Sequence, residues 1–390
     1  MSIYLRPKDT AFYFIVLYPL INILVAFIFN RQGLRTTYIV FSLITLLLLI
    51  IKKEAHSSTI NSKYLIFVII SLCAIALFVI NNPSFDAILN GIVFVLFLSF
   101  MYIYSDQNII KRFESFCIQN RHLIVVIEMI YLLVLLLSCV KGDGINASGW
   151  HIVSLKGPYE INHLLAYELL VFAGFSFRLW YVRNSYFQLG NSIVLVLLIF
   201  LTGVRSALLA LLVLILYYLI KMKTSKTIII CFFGIFIIAI LLTQTNIFDV
   251  VIQKTKITME MGSISSSRPA IFSSSLKAYF DSRNSLLDYL FGIGLDRLTV
   301  FNHKEILMAI HAHNDFIDAL VIFGISGFAL YIYSVVKCFL NNKNIWLFIL
   351  YFILAFFNGF YQYQFIVIGF PFLISAFDIS KKVNNGGLLK

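Results

Sequence analysis

The sequence predicts an all-α fold: a polytopic integral membrane helix bundle of about twelve spans, with one large extracytoplasmic loop. Three observations predict it. Of the 390 residues, 61% are hydrophobic and only 12% charged, and the mean hydropathy is +0.93. A single soluble core does not hide that much apolar surface. Apolar runs near the length of about 20 residues that crosses a bilayer recur along the chain. The net charge of +12, which in a soluble protein would point to nucleic acid, resolves into lysines and arginines gathered in short segments on one side.

The runs place spans at 11–29, 35–51, 64–80, 86–104, 122–140, 163–181, 187–202, 204–220, 227–243, 314–336, 344–359 and 361–377. The first has no small-residue cleavage site and reads as a retained span, not a removed signal. With the N-terminus inside, eighteen of the thirty lysines and arginines fall in the inner segments and five in the short outer ones. Both termini are therefore expected in the cytoplasm. Residues 187–220 are read as a hairpin turned at LTGVR. One helix of that length would measure about 50 Å, well past a hydrocarbon core of about 30 Å. The whole chain, 1–390, reads as one membrane domain, with no internal repeat. The five cysteines show no metal-ligand spacing and read as packing residues.

The outer segment 244–312 is long for a loop and patterned like helices. Ser267-Arg268-Pro269 resembles a helix start with proline at its first position. Phe272, Leu276, Tyr279 and Phe280 then recur at helical spacing, predicting one apolar face. A second run, Leu286 to Phe291, stops at Gly292-Ile293-Gly294. Two or three amphipathic helices lying over the mouth of the bundle are expected.

Polar groups concentrate at the outer ends of the spans. Arg205, in the hairpin turn, fits either a snorkelling headgroup anchor or a bidentate phosphate contact. Arg268, at a helix start where backbone N–H groups are free, fits a second phosphate contact. His311, His313, Asn314, Asp315 and Asp318 form the densest cluster; continued as a helix, 311, 315 and 318 share a face. Histidine takes protons near neutral pH, and a carboxylate fixes its tautomer. No zinc-type spacing is present, so neither a metal nor another cofactor is expected. Weaker candidates are the loop from Lys156 to His163, the intramembrane acids Glu128 and Glu168, and the aromatic-amide run Tyr361, Gln362, Tyr363, Gln364, which offers ring faces for stacking sugars.

Three stretches carry a family resemblance: LTGVRSALLAL (201–211), SSRPAIFSSSLKAYF leading to LFGIGLD (266–296), and HAHNDFIDALVIFGISG (311–327). In order, spacing and sidedness, residues 190–330 resemble the O-antigen polymerase and O-antigen ligase superfamily of bacterial surface-polysaccharide assembly. The resemblance implies metal-independent glycosyl transfer at the outer face of the inner membrane. The donor would be an oligosaccharide on undecaprenyl diphosphate, and a chain-length regulator is a candidate partner protein. It assigns Arg205 and Arg268 to the diphosphate and His313 to the acceptor, as base or orienter. Asp315 or Asp318 is then expected to orient His313, with His311 and Asn314 beside the substrate. Ligases tend to carry Thr/Ser-Arg-Gly/Ala at the first arginine; here Gly203-Val204 precedes Arg205 and Ser206 follows, which favours polymerase. An O-antigen ligase, a capsule polymerase, a lipid-linked oligosaccharide flippase and a non-catalytic scaffold are the alternatives. Paired halves, expected of many transporters, are not visible.

Overall fold

The computed structural model describes residues 9–29, 31–51, 58–142, 144–147, 153–183, 185–221 and 268–377. Among these lie fifteen helices and one short β-hairpin. The first membrane helices are α1 (Thr10–Phe29), α2 (Arg31–Ile51), α3 (Ser58–Asn81), α4 (Phe85–Tyr104) and α6 (Arg121–Val140). A shorter α5 (Gln107–Gln119) stands between the last two. After β1 (Ile145–Ala147) and β2 (Val153–Leu155), which pair antiparallel, come α7 (Asn162–Arg183), α8 (Tyr186–Thr202) and α9 (Arg205–Lys221). Three loop helices follow: α10 (Arg268–Tyr279), α11 (Leu286–Phe291) and α12 (Gly294–Ile306). The chain ends in α13 (Asp315–Asn342), α14 (Ile345–Phe357) and α15 (Gln364–Ala376). The protein is thus an all-α polytopic membrane bundle. Six helices are long and apolar enough to cross a bilayer, and shorter apolar helices accompany them. Eleven of the twelve expected spans are helices; the twelfth, 227–243, lies outside the described residues, as do 244–267 of the outer segment and both termini.

The hairpin expected at LTGVR is present. Helix α8 ends at Gly203, in the left-handed region at φ 65°, and α9 begins two residues later at Arg205. Helix α5 escapes a reading based on hydropathy because it is amphipathic. Asp106 caps it, and Ile109, Ile110, Phe113, Phe116 and Cys117 line its buried face. It is fastened to the bundle by Glu114, which pairs with the buried Arg178 of α7.

The predicted apolar face of α10 packs only in part: Tyr279 is buried and Phe272 meets Phe356, while Phe280 is exposed. Ile271, Ser274, Ser275 and Ala278 complete the buried face. The reason is polar and steric. Small serines let α10 approach α12 closely, where Ser274 donates to Asn302 Oδ1 (2.7 Å) and Asn302 Nδ2 donates to Ser275 (3.1 Å).

The two glycine motifs of the sequence meet each other. Within α13, Gly324 leaves helical geometry at φ 71°, ψ −171°. The break releases the Val321 carbonyl, which accepts the Ile293 N–H at 3.0 Å. Gly292, at φ 88°, lies so close that a Cβ there would overlap the Ile322 carbonyl; one on Gly324 would reach 2.5 Å from Gly292 N. Non-helical backbone at membrane depth is tolerated only where its polar groups find partners in protein. Here Asn81 and Asn82, at the end of α3, both donate to Gly292 O at 3.1 Å. The turn between α11 and α12 is therefore keyed into the kink of α13. Helix α11 is itself closed by a capping box between Ser285 and Asp288.

Candidate functional site

One end of the bundle collects the N-termini of α7, α9, α10, α13 and α15 and the C-termini of α8 and α14. Asn358, just past α14, is at its centre. Its Oδ1 accepts from Arg268 Nη2 at 2.5 Å. Its Nδ2 donates to Tyr167 Oη at 3.1 Å and to Ser206 Oγ, two hydroxyls that are themselves 3.0 Å apart. The His313 ring faces the Asn358 backbone carbonyl. Helices α7, α9, α10, α14 and the start of α13 are thereby tied to one amide.

Arg268 is mostly buried, and burial lowers its pKa; Arg205 is close enough to lower it further. Its Nη1 is buried without a hydrogen-bond partner, and among the described residues no carboxylate pairs with it. Arg205, half-buried at the first turn of α9, precedes the Ser206 that bonds to Asn358. The two arginines and His313, widely separated in sequence, thus converge.

His313 has φ 53°, a left-handed conformation that a side chain disfavours. The bend sets its ring against that of His311, with centroids 4.0 Å apart. Residues 311–314 are not helical, so the shared helical face expected for 311, 315 and 318 does not form. His311 reaches Asp318 through the bend instead: Nδ1 lies 2.8 Å from Asp318 Oδ2, and Oδ1 accepts the Ala312 N–H at 2.9 Å. Burial pushes the His313 pKa down to about 4, with His311 and Arg268 adding to the drop. His313 is therefore neutral at pH 7.

The carboxylates do not meet His313. Asp318 serves His311. Asp315, fully buried, accepts the N–H groups of Phe360 (2.8 Å) and Tyr361 (3.1 Å) and the hydroxyl of Tyr331 (3.3 Å). It satisfies the backbone of the turn between α14 and α15, whose first residue past α14 is Asn358. Asn314 caps α13, its Oδ1 accepting from Phe316 and Ile317. Tyr361 packs on Phe94 and Phe97, and Tyr363 stacks on His163 at 5.9 Å, so those ring faces are engaged within the protein.

The intramembrane acids lie elsewhere and are fully engaged. Glu168 accepts from Asn22, Tyr131 and Tyr159, which ties Tyr159, just ahead of α7, to α1 and α6. Glu128 accepts from Ser176 (3.3 Å) and Asn191 (2.7 Å). Among the described residues no group of three or more His, Cys, Asp or Glu side chains is placed to hold a metal ion.

Residues 190–332, which run from α8 through the first half of α13, match the family model described as O-antigen ligase. Over this segment, a little more than a third of the chain, the protein is similar to the O-antigen polymerase and ligase superfamily. No curated protein matches it. The matched segment carries Arg205, Arg268 and His313, whereas Tyr167 and Asn358 lie outside it. Neither of those two is conspicuous in the sequence: each is one polar residue at the end of an apolar run, and only the folded chain brings them together. The likeness points to an enzyme of the O-antigen polymerase and ligase type in a bacterial membrane.

Proposed function

We propose that the protein is a surface-polysaccharide polymerase, transferring a growing glycan from undecaprenyl diphosphate to a hydroxyl of an acceptor lipid-linked repeat unit. The supporting observation is the Arg268 guanidinium: partly buried with its Nη1 fully covered, next to Arg205 and His313, and neutralised by no carboxylate among the described residues. A partly buried cation in that state fits an anionic ligand, and guanidinium matches diphosphate oxygens in geometry. Charge develops on the diphosphate as the glycosidic bond breaks, and fixed cations there stabilise the transition state more than the ground state. His313, neutral and adjacent, orients the acceptor. Two guanidinium groups supply positive charge at this position, so we propose that no divalent metal is required; a chelator should leave activity unchanged, and loss rescued by added metal would contradict this.

The charge distribution supports placing this end of the bundle outside the cytoplasm, in the inner membrane, with both termini inside. Reporter fusions at each terminus test that arrangement. A ligase, transferring glycan to lipid A core, is the second reading, favoured by the description of the family model. The departure around Arg205 favours the polymerase. Deletion of the gene separates the two on a polysaccharide gel. Single repeat units on lipid A are expected for a polymerase, polymer stranded on undecaprenyl diphosphate for a ligase, and repeat units trapped inside the cell for a flippase.

A further inference from the structure

An acceptor hydroxyl loses a proton as it attacks, and two adjacent imidazoles are available to receive it. They are not equivalent. His313 is mostly buried, lies near Arg268 and faces the Asn358 carbonyl. A cationic His313 would add a further positive charge beside two arginines. His311 is 18% exposed, and its Nδ1 is 2.8 Å from a carboxylate with no exposure at all. Asp318 is fixed from two sides, by the Ala312 N–H and by the first turns of α13.

The His313 N–H also points at His311 Nδ1, at 3.2 Å. One ring nitrogen does not donate and accept at once. The shorter, charge-assisted bond to Asp318 decides the tautomer: Nδ1 carries the proton and Nε2 keeps its lone pair. A carboxylate behind an imidazole both fixes that tautomer and stabilises the imidazolium once formed.

We propose that His311, held by Asp318, accepts the proton of the attacking hydroxyl, and that His313 is a positioning group. This rests on the glycosyl-transfer reading above. The acceptor O–H bond breaks and its proton passes to His311 Nε2. The freed oxygen pair forms the new bond to the anomeric carbon. The bond from that carbon to the diphosphate oxygen breaks, and its electron pair departs with the diphosphate toward Arg205 and Arg268. The groups facing the imidazoles are Asp318 from α13, each other, and Arg268 from α10, with Asp315 one turn from Asp318.

The test uses the full-length protein in nanodiscs with a lipid-linked repeat unit, comparing His311→Gln, His311→Ala, His313→Gln, Asp318→Asn and Arg268→Ala. Loss of a general base lowers turnover by about 10²- to 10⁴-fold. His311→Gln should show such a loss in kcat, with KM for the lipid-linked donor nearly unchanged. Asp318→Asn should lower kcat less and shift the acidic limb of its pH profile. Added imidazole should restore part of the turnover of His311→Ala, which a merely structural role does not allow. Retained kcat in His311→Gln, or imidazole rescue confined to a His313 variant, would overturn the assignment. Undiminished donor binding and turnover in Arg268→Ala would instead overturn the glycosyl-transfer reading itself.

Discussion

Two arginines stand at opposite ends of the bundle, Arg178 buried and Arg268 partly buried, and the protein treats them differently. Arg178, near the end of α7, is 2% exposed and pairs with Glu114. Arg268, at the start of α10, has the neutral Asn358 amide as its hydrogen-bond partner. Both have one buried nitrogen without a partner. The difference is therefore the counter-charge: present beside Arg178 and missing beside Arg268. Withdrawing a cation from water is costly, and a protein recovers the cost by pairing it or by leaving the pairing to a ligand. Arg178 fastens α5 to α7. Arg268, on the function proposed above, is kept for the diphosphate.

Four measurements break or sharpen this contrast. Glu114→Ala leaves Arg178 uncompensated and should destabilise the detergent-solubilised protein by about 3–5 kcal/mol, the cost of breaking a buried pair from one side. Unfolding monitored by intrinsic fluorescence checks it, and an unchanged midpoint would remove the distinction between the arginines. Arg268→Ala should do the opposite: turnover down by about 10²- to 10³-fold, with thermal stability equal to or above that of the parent, because an unmatched buried charge is gone. Arg268→Lys should also be impaired, since a point charge replaces a fork. Glu168→Ala extends the comparison to a saturated carboxylate. Its three donors would lose their acceptor, at about 1–3 kcal/mol, while activity per folded molecule should persist; selective loss of activity would make Glu168 part of the site.

A last measurement concerns pH. His313 has a folded pKa of about 4, below its ordinary value near 6.5. Between those values the unfolded chain binds the proton that the folded chain refuses, so stability rises with pH. That contribution is complete above about pH 6.5 and declines as the pH falls toward 4. Melting curves of the parent and of His313→Gln should converge on acidification through this window, and parallel curves would contradict the burial of the ring.

The helices themselves were legible because lipid demands long apolar runs, and eleven of them are where hydropathy puts them. Helix α5 was not, although Asp106 as a cap and the spacing of Ile109, Phe113 and Phe116 carry its signal; an amphipathic pattern is quieter than a uniformly apolar one. For the site, residue chemistry singles out Arg205, Arg268 and the 311–318 cluster. It does not say which carboxylate meets which imidazole. That pairing depends on the left-handed turn at His313, a conformation residue type alone does not announce. Asn358 is invisible for another reason. Its importance lies in touching α7, α9 and α10 at once, and such a meeting exists only in three dimensions.

The contact between Gly292 and Gly324 leaves no side chain to act as a spring. Backbone meets backbone, so the first turns of α13 and the α11–α12 turn have no slack between them. Any displacement of that turn is handed directly to the helix that begins at Asp315 and carries Asp318.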